Sequence, residues 1–108
     1  MSTIIVPKIA ITSAIIQDTN PISLVVLAVA ILPTDGYQNP RLEPRVYVTP
    51  PVDGIYEFDF YIDEPSGPAP DKLTPFTAAF QWIDFPAKEV KGVKIYGSED
   101  PKTAPISE

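Results

Sequence analysis

Hydrophobic and polar positions alternate with period two along several stretches of this chain, the signature of half-buried strands. The clearest case is 56–62, where Tyr56, Phe58, Phe60 and Ile62 share one face and Glu57, Asp59 and Tyr61 the other. A Pro-Pro-Val-Asp-Gly turn over 50–54 precedes it, and Arg45-Val46-Tyr47-Val48 alternates before the turn. The pattern predicts a hairpin centred near Val52, with Val46 opposite Phe58 and Val48 opposite Tyr56 in the core. Arg45 then pairs with Asp59, and Tyr47 with Glu57, on the outer face. A one-residue slip would bury both carboxylates, which selects this register over its neighbours.

The remaining strands are read the same way. Residues 9–16 are rich in β-branched side chains, with Ile9, Ile11 and Ile15 on one face and Ser13 interrupting it, as a bulge near Ser13 would explain. Asn20-Pro21 marks a turn. The run 22–32 lacks a polar stripe and is closed by proline at both ends, so it reads as a strand covered on both faces. A sandwich covers only one of them, so the second face of this strand must meet a loop, a helix or another chain. Residues 33–44 read as a long connection, with an Asp35-Gly36 turn that needs positive φ at the glycine. The segment 63–75 reads as the longest loop, stiffened by four prolines. Over 76–85, Phe76, Ala78, Phe80 and Trp82 share a face, opposite Thr77, Ala79, Gln81 and Ile83. Val90 to Tyr96 is the last predicted strand, with Val93 and Ile95 inward.

These elements predict an all-β fold: an antiparallel immunoglobulin-like β-sandwich of about six to seven strands, with a small β-barrel or jelly roll as the alternative. One domain spans 1–96, and 97–108 reads as a flexible C-terminal tail. The 14 prolines among 108 residues agree with short strands and stiff loops, because proline interrupts helices and central strands.

Leu32-Pro33-Thr34-Asp35-Gly36-Tyr37, Pro40-Arg41-Leu42, Pro44-Arg45-Val46-Tyr47-Val48, Pro50-Pro51, Asp53-Gly54-Ile55, Phe58-Asp59-Phe60 and Lys91-Gly92-Val93-Lys94-Ile95 carry a further signal. Over about residues 30 to 96 the chain resembles a group of small uncharacterised bacterial β-domain proteins. Their shared features are an LPT-x-G turn, a YV-x-PP-x-DG-I hairpin and a KGV-type strand. The resemblance implies a compact β-domain and carries over no catalytic residue.

Composition narrows the chemistry. The formal net charge of −6 opposes binding to phosphate backbones or anionic membranes. The chain has no Cys and no His, which excludes disulfides, thiolate nucleophiles, Ser-His-Asp machinery and His-based zinc sites. Lack of cysteine is compatible with the cytosol, the compartment this reading favours. The apolar run 24–32 is far shorter than the ~20 residues of a membrane helix. Ala28-Val29-Ala30 has the small residues of a signal-peptidase site, but the region before it has the wrong charge and length for a signal.

Candidate chemistry is sparse. Glu57 and Asp59 are paired carboxylates on one strand face, as a hydrolase would use, but an open face offers nothing to raise either pKa. Asp63, Glu64 and Asp71 supply oxygen ligands without a calcium-loop pattern. Pro65-Ser66-Gly67-Pro68 matches P-x-x-P only loosely. Tyr37, Tyr47, Tyr61 and Trp82 suit sugar stacking or protein contact, although Trp82 shares its face with Phe76 and Phe80 and so reads as core. The expectation is a non-enzymatic module that binds a protein partner or its own copy. Its candidate surface is Tyr37, Tyr47 and Tyr61, with Val25, Leu27 and Val29 on the apolar strand. No cofactor is expected. A carbohydrate-binding module is the alternative, and a carboxylate-dependent hydrolase a third.

Overall fold

A computed structural model describes residues 2–107. The fold is all-β, with no helix among the described residues. Eight strands form in chain order: β1 (Thr3–Ile5), β2 (Ile9–Gln17), β3 (Ser23–Thr34), β4 (Gln38–Pro44), β5 (Ile55–Asp63), β6 (Asp71–Ile83), β7 (Gly92–Tyr96) and β8 (Lys102–Ser107). They build one strongly curled, half-barrel sheet.

The sheet is mixed, where a purely antiparallel one was expected. β5 runs parallel to β7, and β2 parallel to β8. β5 carries β4 along one edge and β7 with β1 along the other. β8 pairs with β7 through Lys102–Pro105, then with β2 through Ile106 and Ser107. From β2 the sheet continues to β3 and ends at β6.

The curl brings β5 to face β6 across the core. Phe58 lies 5.4 Å from Phe80, and Tyr56 lies 5.2 Å from Trp82, ring centre to ring centre. Phe58, Phe60, Ile62, Val93 and Ile95 bury one wall, and Leu24, Val26 and Leu32 bury the other. Ala14, Ala28, Ala30 and Ala78 line the second wall and leave volume for the facing rings. Each fully buried large side chain contributes roughly 1.5–3 kcal/mol.

The alternation of β5 is as expected, and so is that of 76–83 within β6. Val93 and Ile95 are buried in β7, and the turns at Gly36 and Gly54 have positive φ. Asp53 caps the second turn by accepting the Ile55 N–H at 3.0 Å.

Beyond the mixed sheet, five expectations differ from the structure. First, the strand before the turn is Gln38–Pro44, so Pro44 and not Val46 lies opposite Phe58. Val46 and Val48 are 97% and 104% exposed. The strand ends because the Tyr47 hydroxyl, rather than a backbone carbonyl, accepts the Glu57 N–H at 2.9 Å. Proline is tolerated in β4 because this strand pairs only with β5, and its irregularity at Asn39 and Pro40 takes up the misfit.

Second, the bulge in β2 falls between Ile9 and Ile11 rather than near Ser13. It reverses the facing of all that follows, so Ala14 is buried while Ile11 and Ile15 are exposed. Third, β6 begins at Asp71, which shortens the loop expected over 63–75; Pro75 is admitted because β6 ends the sheet. Fourth, residues 102–107 of the expected tail form β8, which joins the two walls. Pro105 sits where β8 passes from β7 to β2, so its missing N–H costs little. Gly92 lets β8 approach, because a Cβ there would lie 2.8 Å from the Ala104 carbonyl oxygen. Fifth, β3 is fully buried on one face only. Val25, Leu27 and Val29 on the other face are half-buried, and Ile31 is exposed.

Candidate functional site

The strand order decides which surfaces are open. β2, β3 and β6 lie side by side, and the core covers only their inner face. Their outer face is built in rows set by the register. Ile15, Val25 and Gln81 form one row; Ser13, Leu27 and Ala79 the next; Ile11, Val29 and Thr77 a third. Ile31 and Pro75 extend it at one end. At the other end Ile83 pairs with Ser23, whose hydroxyl is tied to Thr19 and Gln17. Ile11 is 63%, Ile31 51% and Ile83 61% exposed.

This face carries no charge. β2 and β3 contain no Asp, Glu, Lys or Arg, and in β6 only Asp71 and Lys72, at its start, are charged. The chain's whole net charge of −6 lies elsewhere. Contiguous apolar surface rimmed by polar residues marks interaction sites.

Of the candidate residues, Val25, Leu27 and Val29 come together at the centre of this face. The three tyrosines are not on it. Tyr37 packs edge-on against Phe76 at 5.7 Å and leans on the core. Tyr61 pairs with Ile5 and Arg41 on the outer side of β5. Tyr47 joins Trp82 in a pocket of about 240 Å³ at the gap between β5 and β6, which Tyr56, Phe58 and Phe80 also line. Ile11, Ile15, Ile31 and Ile83 belong to the apolar face but were not among the expected residues. The charge-free composition of the strands was the signal that points to them.

Beside the pocket, Arg45 organises the polar face of β5. Its guanidinium meets both Asp59 oxygens, at 3.2 and 2.9 Å, and lies 3.9 Å above the Tyr96 ring. Glu57 accepts from the Tyr96 hydroxyl at 2.7 Å and lies 3.6 Å from Arg45. The hydrogen bond to Asp59 is the main reason that Arg45 holds its proton more tightly than usual. Burial is the main reason that the Tyr47 hydroxyl is harder to ionise. Glu57 and Asp59 are therefore occupied by neighbours.

At the far end of β5, Asp63 accepts from Thr3 at 2.7 Å, Asn39 at 2.9 Å and Arg41 at 3.2 Å. The Asn39 and Thr3 bonds, with Arg41 adding to them, hold its carboxyl at about 2. Asp63 thereby clamps β1 and β4 to β5. Glu64 accepts from the Ser2 hydroxyl, and Asp71 lies across from Thr34. Among the described residues, no group of three or more His, Cys, Asp or Glu side chains is placed to hold a metal ion. No helix there is long and apolar enough to cross a membrane.

No protein-family model, no curated protein and no solved structure matches the chain.

Proposed function

We propose that this protein is a non-enzymatic protein-interaction module that works through the outer face of β2, β3 and β6. The observation that carries the reading is the absence of any charged side chain across that face, on a chain of net charge −6. Charged residues are depleted at the core of protein interfaces, and exposed isoleucines with half-buried Val25, Leu27 and Val29 supply the apolar area an interface needs. Burial of one wall of the curled sheet against the other also supports treating the architecture as a relative of the immunoglobulin-like sandwich, with its order altered by the two parallel pairings.

Two other readings have less support. The Tyr47–Trp82 pocket has rings suited to sugar stacking, but its neighbouring hydroxyl and carboxylate groups already bond one another. Glu57 and Asp59 fit a structural ion-pair network better than a hydrolase, because Arg45 bridges the two and the Tyr96 hydroxyl donates to Glu57.

The test is photocrosslinking from a benzoylphenylalanine at Thr77, with Lys88 as the control position, in extract of the native host. The reading expects a Thr77 adduct of defined mass that unlabelled wild-type protein competes away. An Ala79→Lys competitor should fail to do so. Adducts equally abundant from Lys88, or none from Thr77, would remove the reading.

A further inference from the structure

We infer that the partner of the β2–β3–β6 face is a second copy of the same chain, packed face to face about a two-fold axis. This inference rests on the protein-interaction reading and names its occupant.

Charge favours a second copy. Two copies carry −6 each and repel through most of their surfaces. The β2–β3–β6 face brings no charge of either sign to an interface, so two such faces meet with no like-charge contact. A two-fold contact must be self-complementary, and an uncharged apolar face satisfies this without a matching pattern on another molecule. A partner selected by charge would have nothing here to read.

Shape favours it as well. The middle row sets Leu27 between the small side chains of Ser13 and Ala79, with bulkier rows on either side. This relief allows the rows of an opposing sheet to interdigitate at the ~10 Å spacing of packed sheets. Area sets the strength of the contact. Three strands at ~4.8 Å spacing and about ten residues of ~3.3 Å rise give a projected area of about 500 Å². This lies below the roughly 800 Å² that each partner contributes to a standard interface and suits a weak, concentration-dependent dimer. On a monomer, a patch of this size stands near the upper end of what soluble proteins leave uncovered.

Sedimentation velocity of the purified full-length chain, from micromolar to millimolar concentration, tests the inference. Wild type should pass from monomer to dimer, with association strengthened by added salt as the −6 charges are screened. Ala79→Lys and Ile11→Lys both change positions that are exposed in the single chain, so both should fold. Each occurs twice in a two-fold dimer and should weaken it by about tenfold or more. Each also lowers the net negative charge, so general repulsion alone predicts the opposite change. A wild type that stays monomeric throughout overturns the second copy, as does a dimer that survives both substitutions. If the purified chain is monomeric while the Thr77 adducts persist in extract, the interaction reading stands with a different partner. If the adducts are missing as well, both fall.

Discussion

Gly92→Ala probes the least expected element of the fold. An alanine methyl at this position would lie 2.8 Å from the Ala104 carbonyl oxygen and 3.1 Å from Ile55 Cδ1. The oxygen belongs to β8 backbone, which cannot step aside without loosening its pairing to β7. The two possible signs are well separated. Where alanine fits its site, replacing glycine stabilises by about 0.4–1 kcal/mol, because the unfolded chain loses freedom. Where it overpacks, the cost is typically about 1–3 kcal/mol. With β8 in place the account predicts a loss in that second range. Urea unfolding followed by Trp82 fluorescence measures it. At a slope of roughly 1–1.5 kcal/mol per molar for a small domain, the midpoint falls by about 0.7–3 M. A chain truncated after residue 101 supplies the control. It is less stable overall, but Gly92→Ala should cost it much less, because the clashing oxygen is gone and only the flexible end of Ile55 stays close, and this non-additivity marks a direct contact. A midpoint that rises in the full chain, or an equal loss in both backgrounds, would refute the placement of β8.

Two further predictions test the other corrections. Val46→Ala and Val48→Ala should each change stability by less than about 0.5 kcal/mol, as exposed sites do, whereas core valines would lose well over that; thermal unfolding distinguishes the two. Asp63 is held at about 2, below its ordinary 3.8. Its contribution is present above the unfolded value and is lost as pH falls from about 4 towards 2. Asp63→Asn should therefore flatten the acid limb of the urea midpoint against pH over that window, and an unchanged limb would mean that the clamp on β1 and β4 is not formed.

How much of this was legible in the sequence depended on what the period-two pattern can carry. It reports which side chains share a face, and for β5, 76–83 of β6 and β7 that was enough. It says nothing about where a strand stops. Val46 and Val48 alternate as well as any core pair, and only the Tyr47 hydroxyl, taking the Glu57 N–H, shows that the ladder has ended. The pattern is also blind to a single inserted residue. One bulge after Ile9 separates Ile11 and Ile15 from the buried face of Ile9 and places them on the open outer face.

Proline misled in β4, β6 and β8. Residues 38–44, 71–75 and 102–107 read as loop or tail because proline is excluded from central positions, yet β4 and β6 edge or end the sheet and β8 changes partner at its proline. β8 had the faintest signal, since Ala104 is its one buried side chain and its space is made by Gly92 on a neighbouring strand. The apolar strand at 22–32 was the most informative stretch. Its second face was expected to need a cover, and the described chain leaves that face half open.

Methyl NMR across a dilution series tests the central claim most directly. With Ile, Leu and Val methyls labelled, the account predicts concentration-dependent shifts at Ile11, Ile15, Val25, Leu27, Val29 and Ile31, and none at buried Val93 or Ile95. Val46, Val48 and Val52 are more exposed than any of these, yet they lie on a loop outside the face. Shifts confined to those three valines, with the β2–β3–β6 methyls unmoved, would contradict it.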